Sequence, residues 1–221
     1  MSQMQPSQTD SRAAAAPLSA GTLFYLWGDR LVEAAGTLGG TTLPSGAKVS
    51  SKQLAPLLFA ASFARLQGDG ALQLEVVTKK SLGFKKQHVQ ATPAANPGMR
   101  GGYEEAIVHQ VTAGATTAWD VVHRWFGRDV THPEGRVFGL AQQEMVVQGL
   151  AQVEENVRSG VKGMLLGKDK VEPLLDRVNG TYAQFEQFKA WWESYQRHDP
   201  ALAEALLDTC RKAIRSRQES D

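Results

Sequence analysis

Residues 50–90 read SSKQLAPLLFAASFARLQGDGALQLEVVTKKSLGFKKQHVQ, and this stretch decides the fold class. Ser50 and Ser51 offer oxygens to the first free backbone N–H groups of a helix, and Gln53 stands three residues after Ser50, the spacing of a capping box. From Leu54 to Ala64 nearly every residue is apolar or small. A helix with no polar face is expected to be buried on most sides, and this run is too short for a bilayer, which needs about 20 apolar residues. Pro56 falls near the start, where a missing N–H is tolerated. Gly68-Asp69-Gly70 ends the helix. The period then changes from helical to two-residue. Leu72, Leu74 and Val76 share one face of a strand and Gln73, Glu75 and Val77 the other. Ser81-Leu82-Gly83 is expected to turn the chain and Phe84–Gln90 to return it as a second strand.

Outward from this stretch the pattern is helical. A first helix is expected over Gly21–Ala35, ending at Gly36. A long glycine-rich segment, Gly36–Val49, separates it from the second. Ala91–Gly102 (ATPAANPGMRGG) reads as a loop. Short helices follow at Tyr103–Val111 and Thr117–Phe126, with a turn over Asp129–Gly135 around Pro133. A long helix is predicted over Val137–Arg158, from Met145 or Val146, Leu150, Val153 and Val157 at helical spacing. Gly160–Lys170 is a connection. Val171–Tyr195 reads as helix interrupted at Asn179-Gly180. Asp199 caps a last helix with Pro200 in its first turn, running to about Arg217. The class is therefore α+β, mainly α. A tail (1–18) precedes a helix and hairpin unit (19–90), a loop (91–102) and a helical bundle (103–217), with a shared core open to the two units. Helix, glycine break, strand, basic turn and strand is a winged-helix-like order.

The same layout over Leu54–Gln90, with helices behind it, resembles Golgi phosphoprotein 3-type domains. In that family the helical body binds phosphoinositide heads and a hairpin mediates oligomerisation. The resemblance lies in element order, carries over no site residue, and implies an adaptor on acidic lipid heads.

The chain has 221 residues, 42% hydrophobic content and a net charge of +1. That gives no global bias toward nucleic acid, but the charge is unevenly placed. No Asp or Glu occurs between Glu75 and Glu104, where Lys79, Lys80, Lys85, Lys86 and Arg100 give +5, leaving −4 on the remainder (+1 less +5). A local patch matters more than the mean. The single Cys210 excludes an intrachain disulfide and fits a reducing compartment. Met1–Ala16 lacks the basic start and apolar run of a secretory signal. A cytoplasmic protein with a disordered Ser-, Gln-, Pro- and Ala-rich tail is expected.

The strongest candidate site is the basic hairpin. Lys79, Lys80, Lys85 and Lys86 flank a turn that carries Phe84 and His88, and with Arg100 they form a candidate anion-binding set for the phosphates of DNA or RNA or for acidic lipid heads. Lysines on a hairpin also guard a strand edge against aggregation, so a module without an anionic ligand is the bland alternative. The aromatic stripe of Phe185, Phe188, Trp192 and Tyr195, with Trp191 beside it, suits a core face first. Base stacking or a protein contact, including a weak homodimer, are the functional alternatives, for which Phe84, Trp191, Trp192 and Tyr195 are the candidates. Both nearby helices with apolar stripes, Val137–Arg158 and Ala201–Arg217, are expected to cover it. His109, His123 and His132 with Asp120, Glu104 or Glu105 have no i, i+4 pair of the kind that preforms a metal site. Cys210 has no CxxC partner and reads as packing. Gly36–Gly46 lacks the lysine and hydroxyl of a phosphate loop. No cofactor, metal or catalytic set is expected, and the reading is a non-enzymatic binding or adaptor protein contacting nucleic acid.

Overall fold

A computed structural model describes residues 17–36, 40–81, 84–94, 101–127, 132–154 and 170–218. At 79–81 and 84–86 the description is of the backbone alone. The tail before residue 17, the Leu82-Gly83 turn, Arg100, the 128–131 part of the turn before Pro133, Val157 and the 160–169 connection lie outside the described residues.

The fold is α+β and mainly helical, with small antiparallel strand pairs. The central element is α2 (Ser51–Gly68), whose residues from Leu54 to Ala64 are all buried. Its large side chains Leu54, Leu58, Phe59, Phe63 and Leu66 are fully enclosed. Each such burial stabilises by about 1.5–3 kcal/mol, which is why a helix without a polar face sits in the middle. Around it pack α1 (Ala20–Leu26), α3 (Gly102–Thr112), α5 (Pro133–Val147), α7 (Tyr182–His198) and α8 (Pro200–Gln218). One apolar cluster runs from Leu18 to Ile214, across the loop expected to separate two units.

Because α2 is enclosed, it cannot enter a DNA groove as a recognition helix. The winged-helix-like order is therefore an order without the docking geometry. The capping box also fails: Ser50 is the N-cap residue but its side chain makes no cap bond. Gln53 Oε1 instead accepts from the Glu33 N–H (3.3 Å).

Several predicted boundaries move. The first helix ends at Leu26, not Ala35. Trp27 leaves helical geometry (φ −119°, ψ 28°), and Gly28–Arg30 form a 3₁₀ turn. The chain then joins a small hairpin within the glycine-rich segment, β1 (Thr41–Thr42) and β2 (Lys48–Val49), with Ala34 bridged to Val49. The helix expected over 137–158 begins at Pro133 and stops at Val147. Gly149 takes a left-handed φ of +67°, and Leu150 N–H returns to Met145 O (2.7 Å). Residues 151–154 then form β5 (Ala151–Glu154), paired with β6 (Lys170–Pro173). Leu150 and Val153 match a helical stripe by spacing, but the glycine ends the helix first. The helix read from Val171 begins only at Leu175, because Lys170–Pro173 pair with β5 as strand: α6 (Leu175–Asn179) follows β6, then the predicted break at Gly180, and α7. The last helix forms as expected, with Asp199 Oδ1 accepting from Leu202 N–H (3.1 Å).

The main hairpin pairs β3 (Leu72–Ser81) with β4 (Phe84–Pro93), so β4 runs three residues past Gln90 and shortens the predicted loop. Between the hairpin and α5 stand α3 and α4 (Ala118–Phe126).

Candidate functional site

The hairpin is anchored at its base. Leu72, Leu74, Val89 and Ala91 are buried, as the two-residue period requires. Ala91 N–H donates to Thr116 O (3.0 Å), and Gln90 bridges Thr117, tying β4 to the turn before α4. Past the Val76–Val89 pair the ladder leaves the core, and Thr78 and Gln87 are exposed. The next two register positions pair Lys79 with Lys86 and Lys80 with Lys85. Like charges directly opposite one another destabilise a sheet, so two consecutive lysine pairs are not a choice made for hairpin stability. Phe84 closes the ladder opposite Ser81.

Beside the exposed half of the hairpin lies a groove of about 1300 Å³, walled by β3 and β4, by the start of α4 and by α8. The hairpin contributes Thr78, Gln87 and His88, and α8 contributes Thr209 and Lys212. The wall at α4 is held by reciprocal capping. Asp120 N–H donates to Thr117 Oγ1 (3.1 Å), and the Thr117 hydroxyl donates to Asp120 Oδ2 (2.8 Å). The cap holds the helix start that carries Trp119, which also lines the groove. Its ring stacks on His123 one helical turn later, with centroids 4.2 Å apart and planes 17° apart. Arg217 Nη2 donates to His123 Nδ1 (3.0 Å) and to its carbonyl (2.8 Å). Burial and then the Arg217 charge hold the His123 imidazole below its ordinary pKa, so Nδ1 is an acceptor and the ring is neutral at pH 7. Lys212 is paired with Asp208 (2.7 Å). Thus the groove is close to charge-balanced and rich in hydroxyl and amide groups, while the lysine positions stand at the hairpin end.

The aromatic stripe goes mostly inward. Phe185, Phe188 and Trp192 are buried. Phe24 of α1 meets all three rings, at centroid distances of 6.2, 5.1 and 6.2 Å respectively. Their cover comes from α1 and α2 together with α8, rather than from the helix predicted over 137–158. With Phe24 on one side and the Tyr195 ring stacked 5.7 Å away, Trp192 packs the core instead of offering a face to bases. Tyr195 is half-buried, and its hydroxyl donates to Gln67 Oε1 (2.8 Å). Trp191 is half-buried, stacked between Phe188 and Tyr195, and lies so close over Gly68 that a Cβ there would have to displace its ring.

Sequence reasoning missed the most unusual polar cluster, two buried carboxylates at the start of α1. Glu144 of α5 accepts from Ser19 N–H (2.8 Å), Ser19 Oγ (2.5 Å) and Thr22 Oγ1 (2.6 Å). Glu104 of α3 accepts from Ala20 N–H (2.7 Å) through Oε1, and Ser62 Oγ takes the Gly21 N–H (3.0 Å). Orphan N–H groups at a helix start require acceptors, and this helix start is buried. Among the described residues, Glu104 Oε2 finds no hydrogen-bond partner. Desolvation pushes the Glu104 carboxyl up from 4.5 to about 8, against opposing hydrogen bonds and the Arg65 charge. The spacing did carry a signal: Glu104 precedes Ile107 and Val111 on the buried face of α3, and Glu144 follows Val137 and Ala141 on that of α5. The cluster is enclosed and acts on the chain itself.

Among the described residues no three of His, Cys, Asp and Glu gather as a metal site, and no helix is long and apolar enough to cross a membrane. Cys210 is fully buried, and that burial pushes its thiol pKa well up. Comparison with protein-family models, with curated proteins and with solved structures finds no match for this chain.

Proposed function

We propose that the protein is a non-enzymatic binding or adaptor module whose hairpin end contacts the phosphates of a nucleic acid. The observation that carries this reading is the register: Lys79 opposite Lys86 and Lys80 opposite Lys85, at the far end of a ladder whose base is packed. Lysines on both edges of a two-stranded ribbon also block edge pairing, but edge protection does not require them to face each other. Two consecutive like-charged pairs cost stability, and an anionic partner offsets that cost. Nucleic acid is favoured over acidic lipid heads because the ribbon adjoins a groove of hydroxyl, amide and stacked aromatic groups, which suits a sugar and base polymer better than a flat headgroup layer.

The test is fluorescence anisotropy with labelled DNA and RNA over a series of salt concentrations. If all four lysine positions meet phosphates, log K falls against log salt with a slope of about −3 to −4. Changing Lys79, Lys80, Lys85 and Lys86 together to Glu leaves the helical circular dichroism intact and abolishes binding. Absence of wild-type binding at low salt refutes the reading. Flotation with anionic vesicles, but no nucleic-acid binding, replaces it with the lipid-surface adaptor.

A further inference from the structure

We infer that the groove between the hairpin, α4 and α8 takes a single strand of nucleic acid, with an unpaired base laid against Trp119. This rests on the phosphate-contact reading above and adds the form of nucleic acid recognised. Three observations lead to it.

The charge distribution separates two tasks. Inside the groove Lys212 is paired with Asp208, and Asp120 is engaged by the Thr117 hydroxyl. Among the described lining residues the two carboxylates offset the one lysine, so the groove favours a phosphate less than the hairpin end does. The lysine register positions follow directly on from Thr78 and Gln87, which line it. A strand whose phosphates run along the hairpin end places its bases, not its phosphates, in the groove.

The groove also has the right surface for bases. The Trp119 ring is already stacked on a neutral His123, so a base on Trp119 extends an existing stack. Thr78, Gln87 and Thr209 supply hydroxyl and amide groups that match base edges and sugars without strict sequence choice. Only a single strand presents open base faces, and base–aromatic stacking is the usual means by which proteins hold one. A duplex keeps those faces covered. Finally, the space of about 1300 Å³ exceeds the roughly 300–1,000 Å³ of a small-ligand pocket, leaving room for more than one nucleotide.

The experiment compares a short labelled single strand with a duplex of the same length at low salt, by anisotropy. Wild type is expected to prefer the single strand by about tenfold, the equivalent of one stacked base. Trp119→Leu should bring single-strand affinity down to the duplex level while leaving the salt slope unchanged, because the phosphate contacts remain. Thr209→Met narrows the groove from a helix surface position that tolerates methionine, and should have the same selective effect even if Trp119→Leu fails to fold. Equal wild-type affinity for the two forms, or undiminished single-strand preference in the folded variants, overturns the groove assignment while the hairpin reading stands. No binding of either form overturns both.

Discussion

Replacing Glu104 with Gln should reverse its effect on stability between acid and alkaline pH. In the wild type the carboxyl is buried, with one oxygen on Ala20 N–H and the other without a partner among the described residues. Burial raises its pKa from 4.5 to about 8. The folded state therefore holds this proton more tightly than the unfolded chain. The associated stability is fully present below pH 4.5 and is lost as pH rises through about 8. At 1.36 kcal/mol per pKa unit, with both states weighted at each pH, the loss between pH 5 and pH 8.5 is about 4 kcal/mol from this group. Glutamine keeps the shape and one acceptor oxygen but cannot ionise. Its amide N–H groups replace an unpartnered oxygen, which costs about 1–3 kcal/mol. The variant should thus unfold at lower urea than wild type at pH 5 and at higher urea at pH 8.5, followed by circular dichroism at matched m-values. Parallel pH profiles for the two proteins would refute the reasoning, because they would mean that Glu104 gains or loses no proton on folding.

Gly102 has φ +56°, and a Cβ there would run into the Glu144 carboxylate and the Ser19 hydroxyl. Gly102→Ala should lower stability by about 3 kcal/mol, from left-handed strain plus disturbed charged hydrogen bonds, in a urea titration. Trp192→Ala should lower stability by about 3–5 kcal/mol without changing the oligomeric state in light scattering. An unchanged melt with altered oligomer would make the aromatic stripe an interface. Cys210 should resist a thiol reagent in native buffer and react fully in denaturant, since its thiol is buried with a raised pKa. Rapid native labelling would contradict its place between α8 and the core.

Local patterns in the sequence were enough for the elements that depend on local rules. The apolar run of α2, its glycine stop, the alternation of Leu72, Leu74 and Val76, and the Asp199-Pro200 start of α8 all appear where residue spacing puts them. Hairpin pairing follows from alternation, but its register does not: a turn read over Ser81–Gly83 would oppose Lys79 to Lys85, whereas Ser81 belongs to β3 and pairs with Phe84, which sets Lys79 opposite Lys86 and Lys80 opposite Lys85. Where one local rule competed with another, spacing alone misled. The Leu150 and Val153 stripe continued a helix on paper, but Gly149 and the pairing of β5 with β6 ended it. Gln53 was spaced for a capping box, yet bonded to Glu33 across a tertiary turn. Tertiary structure alone decided that α1 covers the aromatic stripe, that Glu104 and Glu144 converge from different helices on one buried helix start, and that Thr78, Trp119 and Lys212 wall one groove. These groups are separated by tens of residues in the chain. Burial, desolvation and the need to satisfy each enclosed N–H act on distances in space, and a one-dimensional period carries no record of them.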